Sequence, residues 1–277
     1  MRALVRLSRL EHGAMVAVAV AAGAVAAGGP GSLRSPALAV AAVSAVFVEA
    51  ALFAFNDLLN LEEDRVNSPE RPLVRGDLTA RQAVAFGTSC MALGLLLSAM
   101  LGPAPLAVVA VASALGMAYN AGLKRYGPLG NLLVSVTSSL PFVYGSVVAV
   151  GAVPPIIVLF FTIAAVAHLG REVIKGICDM EGDARVGVRT LALIMGPRAA
   201  AAVATALILT SVLLSLLTFP IVRKPLYVAL ILLTDAILLY SVASLVRGPY
   251  PGAAEGARRY TLVGMGVGIA AFAAAGL

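Results

Sequence analysis

Apolar stretches of membrane-spanning length recur along the whole chain, separated by short segments rich in glycine, proline and arginine. A helix needs about 20 predominantly apolar residues to cross a bilayer. Candidate spans run over 12–29, 36–59, 80–101, 103–121, 129–150, 153–174, 198–219, 225–246 and 259–277. The breaks carry turn chemistry: Gly28-Gly29-Pro30-Gly31, Gly102-Pro103, Gly127-Pro128, Pro154-Pro155, Gly196-Pro197 and Gly248-Pro249. Only 12% of the 277 residues are charged, against roughly 25% in a soluble domain. That balance excludes a soluble globular enzyme, a disordered chain and a nucleic-acid binder. The first apolar run resembles the later ones, so it reads as a span and not as a cleaved signal. Cys90 and Cys178 supply neither a disulfide framework nor zinc-site spacing. The expectation is an all-α, polytopic membrane protein, with residues 1–277 forming a single membrane-embedded domain.

Nine spans sort the basic residues strongly. Seventeen of the twenty Lys and Arg fall on one side of the membrane, leaving Arg34, Arg223 and Lys224 on the other. Positive loops stay cytoplasmic, which puts the N-terminus in the cytoplasm, the C-terminus outside and the protein in the cell membrane. A missed or extra helix would scramble this alternation.

The acids cluster on the same side. Ten of fourteen lie in two windows, Asn56–Arg81 and Arg171–Arg189; the others are Glu11, Glu49, Asp235 and Glu255. Ionisable groups near a span are costly and mark function by default. At about 100° per residue, Asn56, Asp57, Asn60 and Asp64 share an arc of roughly 100° at the end of the second span. Glu172, Lys175, Asp179 and Asp183 share a face if the sixth helix continues. Glu62, Glu63 and Glu181 point away and read as solvated. Two oxygen-rich faces with cations nearby suit a Mg²⁺-diphosphate site, because Mg²⁺ prefers oxygen ligands and bridges carboxylates to phosphates.

In these windows the chain resembles the UbiA superfamily of intramembrane prenyltransferases. The family motif N-D-x-x-D-x-x-x-D stands here as Asn56, Asp57, Asn60 and Asp64, with Asn in place of the middle Asp. A second motif, D-x-x-x-D, matches at Asp179 and Asp183, and a Y-x-x-x-x-K pattern matches at Tyr119 and Lys124. Asn67 to Gly76 is similar to the family's N-x-P-x-R-P-x-x-x-G. The stretch from Arg171 to Asp183 is similar to that of archaeal digeranylgeranylglyceryl phosphate synthases, although Gly176 and Cys178 replace acids common there. Leu10 and His12 stand where Pro and Asn are common.

The resemblance implies nine helices around a central cavity and a Mg²⁺-dependent transfer of an isoprenyl group from its diphosphate to an acceptor. For the archaeal branch, the transfer is of geranylgeranyl to the hydroxyl of geranylgeranylglyceryl phosphate, in membrane lipid synthesis. It implies metal ligands at Asp57, Asn60, Asp64, Asp179 and Asp183, with Asn56 beside them; the four aspartates are the catalytic group. Lys124, Arg125 and Lys175 would contact diphosphate, and Arg65, Asn67, Arg71 and Tyr119 the acceptor. Tyr119, Tyr144, Phe142 and Phe53 are candidates for the cavity wall facing the allylic cation. His168 reads as a hydrogen-bonded structural residue more readily than an acceptor contact. Partners would be an isoprenyl diphosphate, a lipid-like or aromatic acceptor and membrane lipids, with no nucleic acid. One rival is an aromatic prenyltransferase acting on a 4-hydroxybenzoate-type acceptor in quinone synthesis. Another is an ion-coupled transporter, which calls for acids near mid-membrane and repeat symmetry. A CDP-alcohol phosphotransferase is disfavoured, since its D-G-x-x-A-R core is absent.

Overall fold

The computed structural model describes residues 2–247 and 251–277, apart from the side chains of Arg2, Glu63, Val66, Asn67, Arg185, Val186, Val246, Arg247 and Pro251. The helices are α1 (Arg2–Ser8), α2 (Leu10–Gly28), α3 (Pro36–Leu59), α4 (Leu61–Asn67), α5 (Ala80–Met100), α6 (Pro103–Asn120), α7 (Pro128–Val150), α8 (Pro155–Cys178), α9 (Met180–Val186), α10 (Leu191–Met195), α11 (Pro197–Leu216), α12 (Pro225–Arg247) and α13 (Pro251–Gly276). Among the described residues there is no strand, and 9 helices are long and apolar enough to cross a membrane. Several open with proline at the first helical position, where a missing N–H costs nothing.

Two spans differ from expectation. Helix α8 continues to Cys178, past Arg171, Glu172 and Lys175, because these polar side chains pair with one another. Helix α13 starts at Pro251, well before residue 259, and Glu255 bonds Arg258 and Arg259 along its first turns. Such pairs one turn apart support a helix outside the apolar region.

Helices α2 and α7 cross with their backbones in close contact. A Cβ on Gly23 would lie 2.1 Å from the Phe142 carbonyl oxygen, and one on Gly145 would lie 1.9 Å from that of Val20. Small residues permit this approach, which in lipid is a main source of helix attraction. Helix α3 packs on α5, α8 on α11 and α12 on α13. Leu96, Met100, Leu213 and Val263 are exposed on the outside, as lipid contact requires.

The two acid-bearing regions are built alike. Helix α3 ends at Leu59, Asn60 follows as cap, and α4 runs to Asn67. Helix α8 ends at Cys178, Asp179 follows as cap, and α9 runs to Val186. The two units match residue for residue, so Asn60 corresponds to Asp179 and Asp64 to Asp183. Asn56 and Arg71 beside the first unit, and Lys175 beside the second, line one cavity of about 580 Å³ bounded by α2, α3, α6, α7, α8, α11, α12 and α13; the residues Asp57, Asn60, Asp64, Asp179 and Asp183 lie just outside that lining.

Candidate active site

Neither acidic helix continues unbroken, as a single face would require. Asn60 leaves helical geometry (φ −109°, ψ 18°), and Asp179 does the same (φ −95°, ψ 7°). The hydrogen-bond ladder nonetheless crosses each break, from Asn60 N to Asn56 O at 3.0 Å and Asp64 N to Asn60 O at 2.8 Å. The second unit repeats it, from Asp179 N to Lys175 O at 3.0 Å and Asp183 N to Asp179 O at 2.9 Å. The result is a bend that keeps each pair of oxygen-bearing residues one turn apart.

The first unit is buried: Asp57, Asn60 and Asp64 are 2%, 5% and 6% exposed. Charges this buried need partners, and two arginines supply them. Arg9 donates from Nη2 to Asp57 Oδ1 at 2.6 Å, and Arg71 donates from Nη1 to the same oxygen at 3.0 Å. Arg71 also donates to Asp64 Oδ2. One guanidinium therefore bridges both carboxylates. Burial pushes the Asp64 carboxyl above its ordinary range, with Arg71 pulling it back down and Asp57 adding to the rise. Arg9 stands at the junction of α1 and α2 with φ 46°, a left-handed conformation that no other non-glycine residue adopts among those described. Its guanidinium lies 4.3 Å from the centre of the Phe53 ring. Such strain concentrates at functional sites.

The amides are also held. Asn60 Nδ2 donates to the Asn56 carbonyl at 2.7 Å. Asn56 Nδ2 donates to Asn120 Oδ1 at 2.8 Å, and Asn120 Nδ2 to the Leu52 carbonyl at 2.9 Å. Asn120 thereby ties the end of α6, with its neighbour Tyr119, to α3.

On α8, Glu172 receives Arg171 Nη1 at 3.3 Å and Lys175 Nζ at 3.5 Å. Arg171 Nε is buried without a hydrogen bond. Tyr119 and Asp179 are electrostatic neighbours of Lys175. Arg9, Arg71, Tyr119, Arg171, Lys175 and Arg258 all line the cavity.

The structure does not bring every candidate here. Arg65 is 58% exposed and bonds Glu62 at 2.8 Å, away from the cavity. Arg125 is exposed in the turn Leu123–Tyr126, where its carbonyl accepts from Arg189 N at 3.4 Å. Lys124 lies half-buried in that turn, outside the cavity lining. Gly127 lets the turn approach the segment after α9, since a Cβ there would meet Arg189 O at 1.8 Å. The side chain of Asn67 lies outside the described residues. Tyr119, Tyr144, Phe142 and Phe53 do line the cavity, and Tyr144 is anchored through its hydroxyl to Ser98 Oγ at 3.1 Å. His168 lines it as well and makes no hydrogen bond among the described residues, which removes its expected structural role. Asp235 accepts from Ser215 Oγ on α11 at 2.7 Å and faces the same space.

Sequence reasoning assigned no role to Arg9, Asn120 or Arg171. Asn120 carried a signal, an amide inside an apolar run. Arg9 carried none, because its partner Asp57 is 48 residues away.

Among the described residues no three His, Cys, Asp or Glu side chains converge as a closed metal cage. The pair Asp57 and Asp64, both within reach of one cation, fits Mg²⁺, which takes one or two carboxylates and completes its shell with water and substrate phosphate.

Residues 15–273 match the UbiA prenyltransferase family. The chain belongs to that family. A digeranylgeranylglyceryl phosphate synthase of Archaeoglobus fulgidus is 34% identical over 280 residues, covering 98% of this chain and 94% of that protein. The enzyme of the same name from Methanopyrus kandleri is 34% identical over 279 residues, covering 99% of each. The UbiA fold is equally plain. A solved digeranylgeranylglyceryl phosphate synthase superposes with a TM-score of 0.83 at 24% identity, covering 99% of this chain and 98% of that one. A UbiA homologue from Archaeoglobus fulgidus bound to GPP and Mg²⁺ superposes with a TM-score of 0.71 at 17% identity, covering 98% and 99%.

Proposed function

We propose that this UbiA prenyltransferase transfers a geranylgeranyl group from its diphosphate to the hydroxyl of geranylgeranylglyceryl phosphate. One observation carries the reading: two matched helix–cap–helix units, bearing Asn60 and Asp64, and Asp179 and Asp183, adjoin one largely apolar cavity, which Asn56 and Arg71 line beside the first unit and Lys175 beside the second. The near-full-length similarity to enzymes named for that product supports the choice of acceptor.

In this reading Asp57, Asn60, Asp64, Asp179 and Asp183, with Asn56 beside them, hold Mg²⁺. The metal, when bound, stabilises the negative charge that grows on the departing diphosphate. Lys175 from the cavity lining and Lys124 from the turn beside it add positive charge along the diphosphate, an electrostatic contribution of the kind that dominates many active sites, while Arg125, exposed in that turn, contributes less. Arg71 passes from the carboxylates to anionic substrate, and Tyr119 closes the mouth. The apolar wall with Phe53, Phe142 and Tyr144 keeps water from the allylic centre. The protein lies in the cell membrane with its N-terminus and active-site loops cytoplasmic and its C-terminus outside.

The test is purified protein with geranylgeranyl diphosphate, Mg²⁺ and either geranylgeranylglyceryl phosphate or 4-hydroxybenzoate, with products read by mass. The expected product is digeranylgeranylglyceryl phosphate. A prenylated 4-hydroxybenzoate alone would move the protein to the quinone branch.

A further inference from the structure

Below its charged mouth the cavity wall is largely apolar, with Ala45, Val48, Leu52, Ile163, Ala164 and Ala167 along α3 and α8. Two polar groups interrupt this stretch at matching places. Glu49 on α3 and His168 on α8 are equivalent when Asn60 is aligned with Asp179 and Asp64 with Asp183. Both line the cavity, and neither side chain makes a hydrogen bond or ion pair among the described residues. A carboxyl kept in such a place is costly and marks function by default. Arg9, which also lines the cavity, is the charged group that acts on it.

The reaction proposed above leaves one task unassigned. As the acceptor oxygen bonds to the allylic carbon, its proton must leave. Asp57, Asp64, Asp179 and Asp183 are committed to metal and diphosphate, and the nearby Lys and Arg already carry their protons. Resting on that functional reading, we propose that Glu49 is the catalytic base for the acceptor hydroxyl, within a hydroxyl subsite that His168 on α8 completes. The acceptor oxygen's lone pair forms the new C–O bond. The electrons of the old C–O bond leave with diphosphate, and the O–H proton passes to a Glu49 carboxylate oxygen. The register supports this order. Glu49 precedes Asp57 by two helical turns on one face, roughly 12 Å along the axis. That spacing accommodates a layer of diphosphate and the allylic carbon between the metal-binding carboxylates and the base.

Glu49→Gln keeps the size and hydrogen bonding of the side chain but cannot accept the proton. In a membrane-reconstituted assay with geranylgeranyl diphosphate, Mg²⁺ and geranylgeranylglyceryl phosphate, its turnover should fall by roughly 10²–10⁴-fold, the usual contribution of a general base. Its apparent affinity for the prenyl diphosphate should stay at the wild-type value, which also reports an intact fold. Glu49→Asp keeps a carboxyl and should regain part of the rate. Wild-type turnover in Glu49→Gln, or a Glu49→Asp variant no better than Glu49→Gln, overturns the inference. If wild-type protein fails to use the glycerol acceptor at all, the functional reading fails first and takes this inference with it.

Discussion

Asn60→Asp restores the acid usual in the family, and the structure says what that costs. Asn60 is 5% exposed, and its Nδ2 donates to the Asn56 carbonyl at 2.7 Å. A carboxylate in its place loses the donor and turns an oxygen toward that carbonyl. It also joins Asp57 and Asp64, whose partners here are Arg9 and Arg71. Loss of a buried bond of this kind costs about 1–3 kcal/mol. In a chain of this size each kcal/mol lowers the melting temperature by about 2–4 °C. Mg²⁺ should reverse the deficit, because a third carboxylate strengthens cation binding, and occupancy at 100 times Kd stabilises by about 2.7 kcal/mol. The assay is thermal unfolding of both proteins in detergent, with a chelator and with saturating Mg²⁺. The variant should melt lower than wild type in chelator and gain more than wild type from Mg²⁺. An equal gain in both proteins would show that residue 60 does not face the cation. Equal melting in chelator would show that the Asn60–Asn56 bond contributes nothing.

Arg71→Ala leaves Asp64 without the guanidinium that bridges it to Asp57. The metal-free protein should lose about 3 kcal/mol, the lower end for a broken buried pair because Arg71 is partly solvated, and Mg²⁺ should restore much of it in the same melting assay. Lys124→Ala should weaken geranylgeranyl diphosphate binding and slow turnover together, each charge-assisted contact being worth about 1.5–3 kcal/mol, while Arg125→Ala, a change at an exposed position, should do less. Equal, small effects in these two variants would remove Lys124 from the site.

The spans were legible because each apolar run is bounded by glycine and proline, and the helices begin and end close to those marks. The misjudged edges lie where polarity misleads. Lys175 and Glu172 on α8, and Glu255 with Arg258 and Arg259 at the start of α13, pair one turn apart, so the helix outlasts the apolar pattern. The grouping of Asn60 with Asp64, and of Asp179 with Asp183, was legible from their spacing, since backbone hydrogen bonds carry the helical register across the bends at Asn60 and Asp179. The counter-charges were not. Arg9 and Arg71 reach Asp57 through tertiary packing that no local period records, and Arg65, equally basic and nearer Asp64 in sequence, turns outward to Glu62. The depth of Glu49 and His168 was written in the sequence, but only the shared cavity and the matched units gave it meaning.

The central claim is that the two acidic units serve a single substrate. Diphosphate release from geranylgeranyl diphosphate, with Mg²⁺ and acceptor saturating, tests it in Asp64→Ala, Asp183→Ala and the double variant. Groups that act as one unit are strongly non-additive. Each single substitution should therefore abolish turnover while leaving expression and melting largely intact, and the double variant should be no worse than either. Near-wild-type turnover in either single variant, or partial losses that multiply in the double, would contradict the account.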